Sequence, residues 1–266
     1  MKVKYIFVLV ILMSVLFSSC KTEFERIRAS GDPELMVQTA DKYFQQENYL
    51  QAQTLYEIVI PFYRGKEKAA DIFFNYAYTH YFLSEFILAN HYFKNFANTY
   101  INDEKREEAL YMAAYSNYNL SPNFKLDQSY SEVAISDFQL FINTFPNSDK
   151  VKEANELIQD MRSKKEVKAF HQGQLYLDIK QYEAAMVSFE NMIQEFPDSD
   201  LVEEARYKSV IASYDLAKNS IYNKQEERFT SVLERADYFK KKHPRSKYNR
   251  ELKKIVEDSK KKIKEL

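Results

Sequence analysis

Residues 141–149 read FINTFPNSD, and the same punctuation returns as MIQEFPDSD at 192–200 and more faintly as FANTYINDE at 96–104 and FKKKHPRSK at 239–247. An amphipathic helical pattern precedes each unit. Proline donates no backbone hydrogen bond and disfavours helix at the residue before it, so Pro146, Pro197 and Pro244 each mark a helix end. The polar residues that follow are suited to starting the next helix: Ser148, Ser199 or Asp200, and Ser246, with Asp200 and Glu203 at capping-box spacing. Each unit therefore reads as helix stop, tight turn, helix start.

Residues 166–197 carry Gly173 and Tyr176, then Ala185 and Phe189, then Pro197, which is the tetratricopeptide (TPR) pattern almost complete. Partial matches fall at 35–64 (Ala40, Tyr43, Ala52, Tyr56), 70–101 (Ala77, Ala89, Phe93), 108–146 (Tyr118, Ala134, Phe138, Pro146) and 203–244 (Tyr214, Val232, Ala236, Pro244). The expectation is an all-α fold, an α-solenoid of about five TPR helix pairs. A small residue where two helices cross lets their backbones approach, aromatics fill the space beside it, and stacking buries what no single repeat can bury. Two loops break the period, NLSPNFKLDQSYS at 119–131 and KNSIYNKQEERFT at 218–230. From Lys150 to Asp178 there is one glycine and no proline, which predicts one long helix linking repeats three and four.

Composition agrees with this architecture. The 266 residues are 45% hydrophobic and 15% aromatic with only three glycines, too few for the turn chemistry of a β-rich fold. The formal charge of −1 and the lack of a long basic run argue against a nucleic-acid partner.

The N-terminus, MKVKYIFVLVILMSVLFSSC, has Lys2 and Lys4, a charge-free apolar run from Tyr5 to Phe17, then Ser18 and Ser19 before Cys20. This is the layout of a secretory signal, too short to be comfortable as a membrane span of about 20 residues. LFSSC resembles a bacterial lipobox, in which the cysteine becomes the acylated N-terminus; Phe17 stands where leucine is usual. The expected organisation is a lipoprotein signal peptide at 1–19, a lipid-anchored linker at 20–32, N-terminal repeats one to three at 33–149, and the long helix with repeats four and five at 150–262. The covalent lipid on Cys20 is the anchor to the membrane, each buried CH₂ contributing about 0.8 kcal/mol. No cofactor or metal is expected.

Catalytic chemistry finds no foothold. The chain has no Gly-rich phosphate loop and no HExxH, its sole cysteine is the lipobox residue, and its four histidines are scattered. His80 occupies a slot where other repeats place tyrosine and reads as a packing residue. Acidic pairs such as Glu107–Glu108 and Glu203–Glu204 lie near helix starts, where they favour the macrodipole. The chain is expected not to be an enzyme.

A binding surface is the better reading. In DIFFNYAYTHYFLSEF (71–86), Phe73, Ala77 and His80 fall on the face toward the second helix of the repeat, while Phe74, Tyr78 and Tyr81 form a separate aromatic stripe. First helices line the groove of this fold, so the stripe is the candidate peptide-binding surface. The lysine and asparagine that clamp a peptide carboxylate in chaperone-binding TPR domains are absent: those slots hold Val37 and Asp41, then Phe74 and Tyr78.

The lipobox cysteine, the first repeat ADKYFQQENYLQAQTLYEIVIPFYRG, YFKNFANTY after the second, SPNFKLDQSY in the third and FPDSD in the fourth together resemble the BamD family, in a form like those of Bacteroidetes. These are lipoprotein subunits of the outer-membrane β-barrel assembly machinery, and the resemblance covers residues 20–260. It implies a non-enzymatic scaffold on the periplasmic face of the outer membrane, with a BamA-like barrel subunit docked on C-terminal repeats and unfolded outer-membrane proteins engaged by N-terminal ones. A periplasmic TPR lipoprotein coordinating cell-wall or Tol-type envelope functions is the alternative; it usually carries a trimerising coiled coil, which is not visible here. A glycan-binding uptake lipoprotein would be much longer.

Overall fold

The computed structural model describes residues 22–266; the signal segment and Cys20 lie outside them. The described residues form twelve helices and no strand: α1 (Glu23–Arg28), α2 (Pro33–Gln45), α3 (Tyr49–Tyr63), α4 (Ala69–Phe82), α5 (Phe86–Thr99), α6 (Arg106–Leu120), α7 (Ser129–Thr144), α8 (Val151–Asp178), α9 (Tyr182–Glu195), α10 (Val202–Lys218), α11 (Tyr222–Lys242) and α12 (Asn249–Glu265). The five expected helix pairs are present. The stretch read as a linker contributes a short helix, α1, whose Ile27 is buried and whose Phe24 packs edge-on against Tyr43.

The repeated punctuation folds into one repeated joint. After α5, α7, α9 and α11 the amide of Tyr100, Phe145, Phe196 or His243 donates to the carbonyl four residues back, at 2.8, 2.8, 2.9 and 2.8 Å. Two further main-chain bonds follow in the same order at each joint, for example Ser148 N–H to Phe145 O and Val151 N–H to Ser148 O, both 3.1 Å. Ile101 holds the proline position in the first joint. Proline thus favours the turn without being required for it. The serines do not act as formal caps: Ser199 and Ser246 accept from the amides two residues on, at 3.2 and 3.1 Å. The expected capping box is not made, because Glu203 accepts from the Ser246 hydroxyl instead, at 2.6 Å.

Within repeats one, two and four a second joint recurs, with Glu47, Ser84 and Lys180 in left-handed backbone at φ 60°, 60° and 62°. Each is closed by a main-chain bond that reaches back five residues, such as Glu85 N–H to His80 O at 2.9 Å. The two departures from the period have different structural outcomes. In repeat three the extra residues form a true loop, in which the Gln128 amide donates to the carbonyls of Asn123 and Leu126. In repeat five they do not, since only residues 219–221 separate α10 from α11. The polar run NKQEER has good helix formers and becomes an added N-terminal extension of α11, 21 residues long.

The small residues sit at helix crossings as their spacing requires. Ala40, Ala52, Ala77, Ala89, Ala134 and Ala185 are fully buried, beside Tyr56, Phe93, Phe138 and Phe189. Burying one such aromatic contributes about 1.5–3 kcal/mol. At Gly173 a Cβ would lie 2.6 Å from the Phe189 ring, so this crossing admits no side chain at all.

The described residues form two compact units, 22–120 with 133–154, and 121–132 with 155–266. The predicted long helix is present as the unbroken 28 residues of α8.

Candidate functional site

The candidate surface lies in the first unit and is built on α2, α4 and α6 with the first residues of α3 and α5. Helix α4 supplies AADIFFNYAYTHYF, whose apolar residues face two ways. On one side Ala77 and His80 are buried and Phe73 meets Tyr92 of α5 and Tyr100 just past its end, as the sequence predicts. His80 is a packing residue: its ring stacks on Tyr92 at 4.7 Å and its Nδ1 lies 2.6 Å from Glu85 and 2.9 Å from the Gln53 amide. Burial lowers its pKa, against the opposing pull of Glu85.

The stripe on the other side divides. Phe74 is only 6% exposed, its ring 5.0 Å from Phe96 and 5.9 Å from Phe93 of α5. Phe74 is therefore core and drops out of the candidate groove. The reason is its place along the helix. Near the start of α4 it faces the far half of the antiparallel α5, where two phenylalanines enclose it.

Tyr78 and Tyr81 are half-exposed and belong to something larger than a stripe. Tyr49 stacks on Phe82 at 4.4 Å, Phe82 on Tyr78 at 5.6 Å, and Phe44 closes edge-on against both Tyr49 and Phe82. Tyr81 touches Tyr78, Phe82 and Phe86, and reaches Tyr115 of α6 at 6.3 Å. Tyr115 in turn stacks on Tyr111 and Tyr118 at 5.8 and 5.7 Å. The result is a continuous ladder of rings crossing three repeats, with Phe82 43% exposed at its centre. Edge-to-face and offset pairs of this kind each contribute about 0.5–1.5 kcal/mol beyond area burial.

The rim of the ladder is acidic. The Tyr78 hydroxyl donates to the Glu108 carboxylate, and burial together with that carboxylate pushes the phenol pKa well up. Tyr111 is raised the same way, by burial and then by Glu153. These phenols stay neutral, with their polar tips held by carboxylates; Tyr111 is buried beneath the ladder, and Tyr78 is the half-exposed one of the two. Asp41 is engaged by the Tyr56 hydroxyl at 2.6 Å, and Asp71 by Lys105 at 2.6 Å.

Sequence reasoning missed Phe44, Phe82, Tyr115 and Tyr118 as partners of Tyr78 and Tyr81. A signal was present: Phe44, Tyr81 and Tyr118 lie 37 residues apart in turn, as do Asp41, Tyr78 and Tyr115. The same register corrects repeat three. Asn117, not Tyr118, takes the buried slot equivalent to His80; it is 4% exposed and donates to Asp137 at 2.8 Å. Cys20, the lipidation site expected from sequence, lies outside the described residues. Among the described residues no helix is long and apolar enough to cross a membrane, and no cluster of three side chains could hold a metal ion.

No curated protein matches the sequence significantly. A solved structure, the apo form of RapI, aligns over 88% of this chain and 99% of its own at 13% identity, with a TM-score of 0.35. The family model YfiO, described as outer membrane lipoprotein, matches residues 30–226, which spans repeats one to four and the start of repeat five. With most of its length covered by that match, the chain belongs to the YfiO (BamD) family of outer membrane lipoproteins.

Proposed function

We propose that this protein is a non-enzymatic scaffold of outer-membrane β-barrel assembly, anchored through a lipid on Cys20, that receives unfolded outer-membrane proteins on its N-terminal unit. The observation that carries the reading is the aromatic ladder. Three successive repeats hold half-exposed rings in register on a chain whose family resides at the outer membrane. Nascent barrel strands alternate apolar and polar residues and end in aromatic girdles, so an extended client segment offers rings at regular intervals. Stacked tyrosines with pinned hydroxyls present flat apolar faces at low entropic cost, which suits weak, repeated and sequence-tolerant capture. Docking of a BamA-like barrel subunit on the C-terminal repeats completes the proposal.

Binding of a fluorescent aromatic-ended peptide from a barrel strand tests it. Tyr81→Ser with Tyr115→Ser should weaken binding by about tenfold or more, the loss of stacking being worth roughly 1–3 kcal/mol, while helicity is unchanged. Unaltered affinity in a folded double variant removes the ladder from client capture. Affinity purification of the tagged protein from detergent-solubilised membranes, with Cys20→Ala as control, tests the assembly itself. Recovery of a large barrel protein is expected, and recovery of cell-wall enzymes alone contradicts the reading.

A further inference from the structure

The near-neutral total charge conceals a strong separation. Residues 240–266 hold twelve lysines and arginines against four acids, and all twelve basic side chains are exposed. Helix α12 organises seven of them. Its Leu252, Ile255 and Ser259 are buried, and Val256 and Ile263 pack against the same cluster. The opposite face carries Arg250, Lys253, Lys254, Lys260, Lys261 and Lys264, at spacings that keep them on one side of the helix. Surface pairs at 3.9 Å (Lys253–Glu257) and 3.7 Å (Lys261–Glu265) leave most of that charge uncompensated. A helix dipole rationalises cations in the last turn only, and this stripe begins in the first. The stripe lies beyond residue 226, where the family match ends.

We infer that the basic face of α12 is a second membrane contact, lying against anionic phospholipid headgroups. Three observations select a lipid surface over a protein partner. The stripe has five lysines, one arginine and no aromatic residue, whereas protein interfaces are depleted in lysine and enriched in arginine and aromatics. Lysine is a hydrated point charge on a flexible stem, which fits a fluid array of phosphates better than a fixed bidentate partner. The apolar face is already used inside the fold, so contact is electrostatic and superficial rather than insertional. A polybasic patch adds an electrostatic membrane contact beside a lipid anchor. The inference rests on membership of an outer-membrane lipoprotein family and is independent of client capture by the ladder.

The test uses the mature chain from residue 20 with Cys20→Ser, so that no acyl chain contributes, and sedimentation with vesicles of phosphatidylcholine alone or containing phosphatidylglycerol. Binding to the anionic vesicles should exceed binding to the neutral ones by about tenfold or more and vanish as salt is raised. Replacing all six stripe residues by Gln should abolish the preference with circular dichroism unchanged, while the five Lys→Arg replacements should retain it. Equal binding to both vesicle types, or full anionic binding by the six-residue Gln variant, overturns the inference. So does a Gln variant that keeps vesicle binding but loses a co-purifying membrane protein, which would give the stripe to a protein partner.

Discussion

The two units are made from the same helix pair and present opposite chemistries. Residues 22–120 with 133–154 contain 24 phenylalanines and tyrosines, and residues 121–132 with 155–266 contain 14. In the first unit the surplus rings spill from the core onto the outer face of the first helices, where Tyr78, Tyr81, Tyr115 and Tyr118 stack. In the second unit the slots equivalent to Tyr78 and Tyr81 in repeat four hold Gln174, which bonds Asp178 at 2.6 Å, and Leu177, which packs inward. The surface of that unit mixes isolated apolar residues such as Leu175, Ile179 and Tyr222 with charge, including the cross-helix pairs Arg228–Glu183 and Arg235–Glu190. The fold is indifferent to this difference, because the alanine and aromatic positions that close each pair are the same. Recognition and packing are therefore separable in this chain, and each unit can be altered on its face without touching its core.

That separation can be broken most severely at the core. Phe93→Ala removes a fully buried ring that touches both Phe74 and Tyr78, and should cost the first unit about 3–5 kcal/mol. Native-state hydrogen exchange should show α4–α6 losing protection while α10–α12 keep theirs; uniform loss would mean that the units unfold as one. At Gly173, alanine gains about 1 kcal/mol of helix propensity but forces the Phe189 ring to move, and overpacking costs about 1–3 kcal/mol. A net fall in melting temperature is expected, and Gly173→Leu should fall further. An increase for both would show that this crossing has room it is not using.

A smaller effect sharpens the contrast at the first unit's edge. Glu34 accepts from Tyr63 at 2.7 Å and pairs with Lys68 at 2.9 Å. Hydrogen bonds from Lys68, then from Tyr63 and Gln38, lower its pKa from 4.5 to about 2. A depressed carboxylate stabilises the fold above its unfolded pKa, and that contribution is lost as pH falls from 4.5 toward 2. Burial, with the Glu34 hydrogen bond, pushes the Tyr63 phenol up to about 12, so its contribution is present below pH 10 and lost as pH rises toward 12. Melting temperature against pH should slope modestly in both windows, and Glu34→Gln should flatten the acid slope. An unchanged acid slope would assign it to other carboxylates.

The helix pairs were legible because their signals are local: a proline, an alanine and an aromatic at fixed offsets act within one turn of where they stand. What escaped was set by neighbours. Phe74 and Tyr81 lie within one stripe of α4, and only the course of α5 decides that the first is enclosed and the second left open. Asn117 displaced Tyr118 from the core slot because Asp137 offers it a buried partner, a contact twenty residues away. The extension of α11 looked like a loop because a polar run without apolar period gives no inward face, yet its composition favours helix. The basic stripe of α12 was hidden by balance, since eight net positive charges in the last 27 residues are cancelled by acids spread along the rest.

The recurring joint between pairs has a consequence for how such a chain can change. Its three bonds are all between main-chain atoms, and one of the four examples works with isoleucine where the others have proline. A connector that asks so little of its side chains makes each helix pair an interchangeable part. Lineages can lengthen, shorten or re-face this protein by copying or discarding whole pairs at the joints, and the ends will still meet.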